Sequence, residues 1–236
     1  MENPKRNPLI RLVDDDADVL ESEAYVLQLD GWETASYESA EAFLAGDDAE
    51  RPGCMVLDLR MNGMNGLTLQ RKLLESGRTL PILFLSGHAD VETAVLAMKR
   101  GAADFRTKPI SPEALQKTVA RLVRWHLTVC RAAQETAELR ALLSSLTPRE
   151  EEVARLAAKG LLNKEIADLV GASEATVKIH RANAFRKLDV RNAAEVAELL
   201  GMIDEPERPP LPSAEKDEDA RTEARAGSPH EPEAPL

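Results

Sequence analysis

The sequence CMVLDLRMNGMNGL at residues 54–67 joins a short apolar run to an aspartate and a turn rich in asparagine and glycine. An uninterrupted apolar run of this length is typical of a strand that is buried on both faces of a sheet. Further short strand-like runs lie on either side of it in the chain, at Leu9–Val13 and Ile82–Leu85. The intervals between them show apolar residues three or four positions apart, which indicates helices. The sequence therefore predicts a parallel α/β sheet with helices on both faces.

The first half of the chain is predicted to contain five strands that alternate with helices. The strands are expected at Leu9–Val13, Trp32–Ser36, Cys54–Leu57, Ile82–Leu85 and Ala103–Arg106. The helical patterns lie at 17–29, 38–46, 65–76 and 90–100, and a fifth begins near Pro112. Alternation of this kind requires crossover connections, which make the strands parallel in one doubly wound sheet.

The chain is acidic overall, but its charge is unevenly distributed. Its 236 residues carry 41 acidic and 30 basic side chains, a net charge of −11. Residues 204–236 are rich in Pro, Glu and Ala and contain no aromatic side chain, which predicts a disordered acidic tail. Between Lys178 and Arg191, by contrast, five basic residues accompany one acidic residue. The net charge therefore does not exclude DNA as a partner.

Composition argues against several other classes of protein. No stretch approaches the roughly 18 consecutive apolar residues of a membrane span, and the N-terminus lacks the apolar core of a secretory signal. The two cysteines, Cys54 and Cys130, lack the spacing of metal ligands, so that neither a zinc site nor a disulfide scaffold is expected. The expectation is a soluble, cytoplasmic protein with no membrane partner.

Polar side chains follow the predicted strands at the points where the strands end. They are Asp14, Asp15 and Asp16 after the first strand, Asp58 after the third, Ser86 after the fourth and Lys108 after the fifth. The carboxyl ends of parallel strands meet at one edge of a sheet, where ligands bind. Converging carboxylates suit Mg2+, and an aspartate beside Mg2+ and a lysine is a competent nucleophile for phosphoryl transfer. Taken singly, the first three aspartates could equally be helix N-caps, and Asp58 an ordinary loop carboxylate.

Four segments at these strand ends resemble the receiver domain of two-component response regulators. They are VDDD (13–16), MVLDLRMNGMNGL (55–67), PILFLSGHAD (81–90) and ADFRTKP (103–109), in the family's order and spacing over roughly residues 7–125. The resemblance implies a flavodoxin-like, doubly wound sheet of five parallel strands. It also implies a domain that accepts a phosphoryl group from a histidine kinase.

The resemblance assigns Asp58 as the phosphoacceptor and also suggests the Mg2+ ligands. Asp15 is the direct ligand, Asp58 and the main-chain carbonyl of Arg60 complete the protein ligands, and Asp14 acts mostly through water. The remaining implied roles belong to Ser86, which binds a phosphoryl oxygen, Lys108, which pairs with the carboxylate or phosphate, and Phe105, the switch aromatic residue. The Lys108–Pro109 bond is expected to be cis, as is usual in the family.

The loop after Asp58 departs from the family pattern at two positions. Asn62 stands where the family commonly has proline, and Asn65 stands where it commonly has aspartate. Because proline presets a turn, Asn62 is expected to leave this phosphorylation loop looser.

The second half of the chain is predicted to be helical. From about 112 to 146 the pattern indicates either one long helix or a domain helix followed by a linker helix, which would be a solvated spacer or a coiled coil. The residues Thr147–Glu150 offer a capping box with proline at the first helical position. Asn163 and Ser173 are candidate N-caps of two further helices, with a tight turn at 170–173 between them, which predicts a helix-turn-helix.

Residues 146–190 resemble the LuxR-type helix-turn-helix of NarL/FixJ response regulators, most specifically in NKEIA (163–167) and in the TVK, H, N and KL positions of 176–188. Counting 3.6 residues per turn from Ser173 puts Val177, Ala184 and Leu188 on one inward face. The opposite face could enter a major groove. By resemblance, the base-reading candidates are Lys178, Ile179 and Ala182, and the candidates for phosphate contact are Lys164, Thr176, Arg181 and Lys187.

Together these features predict a phosphorylation-activated transcription regulator of the FixJ type. The receiver is expected at residues 1–120, a helical linker at 121–146, the DNA-binding domain at 147–203 and the tail at 204–236. The expected partners are a cognate sensor histidine kinase, double-stranded promoter DNA and, on phosphorylation, a second copy of the chain; RNA polymerase is a further candidate. The chain is not expected to be a dedicated enzyme, although slow self-dephosphorylation is expected.

Two other functions stay open at this point. A phosphatase of the haloacid dehalogenase type would carry a second aspartate two residues after its nucleophile, but the chain has Arg60 there. A phosphate sink or protein-binding switch would share the receiver and bind DNA only weakly.

Overall fold

The computed structural model describes residues 7–87, 91–204 and 209–212. These residues form two compact units. The first comprises the described residues up to His126 together with those from Pro210 onward, and the second extends from Leu127 to Pro209. The tail expected at 204–236 lies outside the described residues, apart from Asp204 and residues 209–212.

The first unit contains a five-stranded parallel sheet. Its strands are β1 Leu9–Val13, β2 Glu33–Tyr37, β3 Gly53–Leu57, β4 Ile82–Ser86 and β5 Asp104–Thr107. Their spatial order is β2-β1-β3-β4-β5, and every neighbouring pair is parallel. Val13 lies opposite Leu57, so that Asp14 and Asp58 emerge side by side at the same edge. The doubly wound fold is confirmed, and each strand boundary lies within one residue of its predicted position.

Helices connect these strands and follow the last of them. They are α1 Ala17–Leu29, α2 Ala40–Gly46, α3 Gly66–Glu75, α4 Val91–Lys99 and α5 Pro112–Ser144. Asp16, Ser39 and Asn65 cap the first three helices, since the side-chain oxygen of each accepts a hydrogen bond from the main chain of the first turn. The alternative interpretation of the aspartates as helix caps is therefore correct for Asp16.

The sheet is buried on both faces, because successive side chains of a strand point to opposite sides. One core packs Val13, Met55, Leu57 and Phe84 of the sheet against residues of α2 and α3, including Phe43 and Leu69. The other packs the alternate strand residues, among them Ile10, Leu12, Val56, Leu83 and Leu85, against α1 and α5. This burial on two sides explains the nearly continuous apolar character of β3 and β4.

Helix α5 begins in the first unit and is longer than one domain requires. Helix α5 is a single helix of 33 residues, which decides between the one-helix and two-helix alternatives. Leu122 and Val123 belong to the sheet's second core, and the buried ring of His126 has Nδ1 2.8 Å from the carbonyl oxygen of Gly53. Helix α5 therefore packs on the sheet as far as His126. The reason is that the apolar spacing of α5 keeps one face on the sheet for more than a further turn.

The second unit is helical, with α6 Pro148–Ala158, α7 Asn163–Val170, α8 Glu174–Lys187 and α9 Ala193–Asp204. The capping box of α6 is confirmed: Oγ1 of Thr147 accepts from the Glu150 main-chain N–H, and the Glu150 carboxylate accepts from the Thr147 N–H. Ser173 caps α8 as predicted. Gly171, with φ of 66°, closes α7 in the left-handed conformation.

The predicted N-cap at Asn163 is wrong. Leu162 occupies the N-cap position, and its main-chain N–H donates to the Glu165 carboxylate over 2.7 Å. Asn163 is the first helical residue, and its side-chain oxygen accepts a hydrogen bond from Arg181 over 2.9 Å. A partner on another helix thus takes the side chain that a local capping rule would have used.

Candidate functional site

A cavity of about 240 Å³ lies at the carboxyl edge of the sheet. It is lined by Asp14, Asp15, Asp16, Val19, Asp58, Arg60, Ser86, Gly87 and Lys108. Because β1, β3, β4 and β5 are neighbours in the sheet, the residues that end these strands converge although they are far apart in sequence. The structure therefore brings together Asp14, Asp15, Asp58, Ser86 and Lys108, as the strand ends predicted.

Asp58 is a buried carboxylate held at both oxygens. Its Oδ2 accepts a hydrogen bond of 2.6 Å from the main-chain N–H of Arg60, and its Oδ1 lies 3.2 Å from the Lys108 ammonium nitrogen. Burial raises the pKa of Asp58 above its ordinary value, while the charge of Lys108 and the Arg60 hydrogen bond act in the opposite direction. The two contacts orient the carboxylate and hold a cation beside it.

Lys108 connects the two buried aspartates of this edge. Its ammonium group donates to the Asp14 carboxylate as well as to Asp58. Burial alone would lower the pKa of Lys108, but its hydrogen bond to Asp14 and the charges of both carboxylates raise it above the ordinary value. The lysine therefore stays charged at neutral pH. The bond between Lys108 and Pro109 is cis, as the resemblance implied.

The loop after Asp58 is fastened to the site by Asn62. The main-chain N–H and the side-chain amide of Asn62 both donate to Oδ2 of Asp15, over 2.9 Å and 2.7 Å. The sequence had predicted a looser loop at this position. The structure instead gives this loop two hydrogen bonds to the end of β1, and proline could donate neither of them.

The donor set of the cavity fits a hard divalent cation in its chemistry, since Asp14, Asp15 and Asp58 offer only oxygen ligands. No group of three or more His, Cys, Asp or Glu side chains within the described residues is arranged to hold a metal ion by itself. Oxygen ligands of this kind agree with Mg2+ chemistry, because this ion commonly takes one or two carboxylates and completes its shell with water and phosphate oxygens.

A further carboxylate, Glu23 on α1, belongs to the electrostatics of the site and was missed by the sequence reasoning. Glu23 is half-buried, and burial raises its pKa to about 7, opposed by the charge of Lys108 and reinforced by those of Asp14 and Asp58. The usable signal was helical spacing, since Glu23 lies two turns after Asp16 on the same side of α1. Strand-end motifs alone do not contain that information.

A close approach at a glycine and a stacked pair of aromatic rings shape the surroundings of the cavity. Gly66, at the start of α3, lies so close to the end of β3 that a Cβ atom there would be 2.3 Å from the main-chain oxygen of Asp58. On β5, the partly buried ring of Phe105 stacks against Phe84, with 6.0 Å between the ring centroids. Ser86, which ends β4, is buried, and its carbonyl oxygen accepts a hydrogen bond from the Lys108 main chain.

The second candidate site is the outer surface of α8. Val177, Ala184 and Leu188 are buried, so the predicted inward face is confirmed. Lys178, Ile179 and Ala182 are exposed, and Ile179 has a relative solvent accessibility of 62%. An apolar side chain this open, between basic neighbours, suits contact with a thymine methyl group in a major groove.

The four candidates for phosphate contact divide into two pairs. Lys164 and Thr176 are exposed. Arg181 is instead partly buried, bonded to Asn163, and its guanidinium lies 5.2 Å from the centre of the Phe185 ring. The Lys187 ammonium group donates a hydrogen bond of 2.6 Å to the Glu150 carboxylate. This contact, together with the hydrogen bonds from Thr147, lowers the pKa of Glu150 to about 2. Arg181 and Lys187 therefore already make contacts within the fold.

Comparison with known proteins covers both units. Residues 10–120 match the response regulator receiver domain, and residues 144–200 match the bacterial regulatory proteins of the luxR family. The response regulator protein TmoT of Ectopseudomonas mendocina is 39% identical over 191 residues, which cover 81% of this chain and 87% of that protein. This chain belongs to the response regulators. It joins a receiver domain to a LuxR-type DNA-binding domain.

Other relatives agree with this response regulator assignment. The transcriptional regulatory protein FixJ of Rhizobium meliloti is 36% identical over 191 residues, 80% of this chain and 93% of that one. The solved structure of the response regulator StyR has a TM-score of 0.75 at 38% identity, and covers 82% of this chain and 98% of that chain. Response regulators of this type are transcription regulators rather than dedicated enzymes, which argues against the phosphatase alternative.

None of the helices in the described residues combines the length and the apolar character needed to cross a membrane.

Proposed function

We propose that this response regulator is switched by phosphorylation of Asp58 and then binds promoter DNA through α8. A sensor histidine kinase donates the phosphoryl group, and a second copy of the chain is the partner in the active form. The observation that supports the proposal most directly is the pair of contacts from Lys108 to Asp14 and Asp58, in a cavity at the carboxyl edge of the sheet.

Six residues of the cavity take part in the proposed phosphoryl transfer. The carboxylate of Asp58 attacks the phosphorus atom of the kinase phosphohistidine, so that a P–O bond forms while the P–N bond breaks and the kinase imidazole leaves. The Arg60 N–H keeps the carboxylate oriented. Lys108 pairs with the Asp58 carboxylate before the transfer and with the new phosphoryl oxygens after it. The hydroxyl group of Ser86 donates a hydrogen bond to one of these oxygens. Mg2+, held by Asp15, Asp58, the Arg60 carbonyl and, through water, Asp14, would supply charge compensation for the transferring oxygens.

The output of the site passes through β4 and β5 to the neighbouring helices. Ser86 ends β4, and Phe105 lies on β5, where its ring stacks on Phe84. A shift of Ser86 toward the phosphoryl group would therefore change the packing of this aromatic pair. Helix α4 carries apolar residues that are open to solvent, including Val91 and Met98. Pairing of two receivers over α4, β5 and α5 would cover this surface.

Two copies bound together would present two α8 helices to two half-sites about one helical turn apart. Lys178, Ile179 and Ala182 would read base edges, and Lys164 and Thr176 would contact phosphates. Arg181 and Lys187 would have to contact phosphates with N–H donors that they do not use in their bonds to Asn163 and Glu150. RNA polymerase is a further proposed partner, and the proposed location is the cytoplasm.

The domain limits belong to the same proposal. The receiver extends to about residue 126, the rest of α5 is the linker, and the DNA-binding domain follows from Thr147. Slow loss of the phosphoryl group by hydrolysis would reset the switch without a dedicated active site.

The test combines intact mass, size and DNA binding on one preparation. With Mg2+ and a small phosphodonor, the wild-type chain is expected to gain one phosphoryl group, to associate into dimers and to bind its promoter more tightly. Asp58→Asn is expected to show none of these changes. Phosphorylation of the Asn variant would refute the site, and phosphorylation of the wild type without tighter DNA binding would favour the phosphate-sink alternative.

A further inference from the structure

Asn62 makes a double contact that its place in the loop does not require. Its main-chain N–H and its side-chain amide donate to the same atom, Oδ2 of Asp15, over 2.9 Å and 2.7 Å. Asp15 itself lies at the exposed rim of the cavity. Because a carboxylate oxygen has two lone pairs, these donors occupy the hydrogen-bonding capacity of Oδ2. Oδ1 accepts no hydrogen bond from any of the described residues, so it is the oxygen left for a cation.

We propose that Asn62 is a positioning residue for the Mg2+ site, which acts by holding Asp15 in a one-oxygen binding orientation. The inference rests on the proposed function, since it takes Asp15 as the direct ligand. An exposed aspartate without fixed partners rotates freely, and a metal ion must then stop that rotation when it binds. Asn62 removes most of this entropic cost before the ion arrives.

The Asn62 contact has two opposite effects on Mg2+ affinity, and the larger one decides whether the affinity rises or falls. Hydrogen-bond donors on Oδ2 draw negative charge away from the carboxylate, which weakens its attraction for a cation. Outer partners of ligating side chains nevertheless raise metal affinity in most sites, and their loss commonly costs ten- to a hundredfold. Orientation therefore outweighs charge withdrawal, and Asn62 strengthens Mg2+ binding.

The contact also couples the loop to the metal. If Asn62 favours the binding orientation of Asp15, then bound Mg2+ must favour the Asn62 contact to the same extent. The main-chain N–H of Asn62 should consequently exchange with solvent more slowly when Mg2+ is present.

The experiment measures Mg2+ affinity by calorimetry on the full chain without a phosphodonor. Asn62→Ala removes the side-chain donor and keeps the main-chain N–H, whereas Asn62→Pro removes both. We expect Asn62→Ala to weaken Mg2+ binding severalfold and Asn62→Pro to weaken it about tenfold or more. The matched control is Asn65→Ser in the same loop, which retains a side-chain cap for α3 and should bind Mg2+ as the wild type does.

The outcomes separate this inference from the proposed function. If both Asn62 variants bind Mg2+ as tightly as the wild type, or more tightly, Asn62 has no positioning role, while phosphorylation of Asp58 stands. If the wild type binds no Mg2+ and gains no phosphoryl group, the proposed function itself fails and the inference fails with it. Phosphorylation of Asn62→Ala at saturating Mg2+, with weakened affinity, supports both. Hydrogen exchange of the Asn62 N–H that does not respond to Mg2+ would also overturn the inference.

Discussion

The ammonium nitrogen of Lys108 lies 3.2 Å from Oδ1 of Asp58, across the carboxyl ends of β3 and β5. This contact opposes the effect of burial, which raises the pKa of Asp58. The contact with Lys108 therefore helps to set the fraction of the Asp58 carboxylate that is ionised.

The first prediction concerns Lys108→Met. Removing the nearest cation should raise the pKa of Asp58 further, because the buried carboxylate loses the charge that favours its ionised form. The measurement is a pH titration of the carboxyl carbons by NMR, assigned with Asp58→Asn. The control, Lys72→Met, removes an exposed lysine of α3 and should leave the Asp58 titration as it is. An unchanged pKa in Lys108→Met would contradict the assigned electrostatics.

The second prediction concerns Glu23→Gln and pH. Burial raises the pKa of Glu23 from 4.5 to about 7, so that the folded state favours the protonated carboxyl. This contribution to stability is complete below pH 4.5 and is lost as the pH rises to about 7. The Gln variant should not show that loss, and should be more stable than the wild type at pH 8 by at most about 3 kcal/mol.

Urea unfolding of both proteins at pH 5 and pH 8 provides the measurement. Glu21→Gln, at an exposed position of the same helix, is the control and should follow the wild type at both pH values. A Gln variant with the same pH dependence as the wild type would show that Glu23 does not titrate in this range.

The third prediction concerns Gly66→Ala. A methyl group at this position would lie 2.3 Å from the Asp58 carbonyl oxygen and 2.9 Å from the Phe84 ring, and neither can move without shifting the sheet edge. We expect the free energy of unfolding of the receiver to fall by about 2–3 kcal/mol. Gly46→Ala, whose added methyl group meets only an ordinary contact of 3.7 Å with Tyr37, should be close to neutral. Equal stability of the two variants in urea unfolding would contradict the packing described.

The fourth prediction concerns Lys178→Ala on α8. Lys178 is exposed on α8, about 100° around the helix from the buried Val177. Its loss should weaken binding to the specific promoter by about 1–3 kcal/mol. Binding to unrelated DNA should fall less, since a base-reading side chain contributes mainly to discrimination. Fluorescence anisotropy at several salt concentrations gives both affinities. The control, Lys72→Ala in the receiver, makes the same change of charge and should leave both DNA affinities unaltered. If Lys178→Ala loses equal affinity for specific and unrelated DNA, Lys178 contacts phosphates instead of bases.

Much of the fold and the candidate site could be predicted from local patterns. The apolar runs placed β1 to β5 to within one residue, and the residues after them, Asp14, Asp58 and Lys108, meet as parallel pairing requires. The capping box at Thr147 was predictable for the same reason. Backbone geometry, side-chain periodicity and helix capping act over a few residues, so the amino-acid order alone is sufficient to specify them.

Other features depend on pairs of residues that lie far apart in the chain. Asn62 meets Asp15 across 47 positions, Lys187 meets Glu150 across 37, and Arg181 takes the Asn163 side chain that a local rule assigned to a helix cap. The raised pKa of Glu23 and the packing of α5 as far as His126 likewise follow from what surrounds them. Such contacts arise only when separate elements pack together, because burial and hydrogen-bond partners are properties of the assembled fold rather than of any short segment.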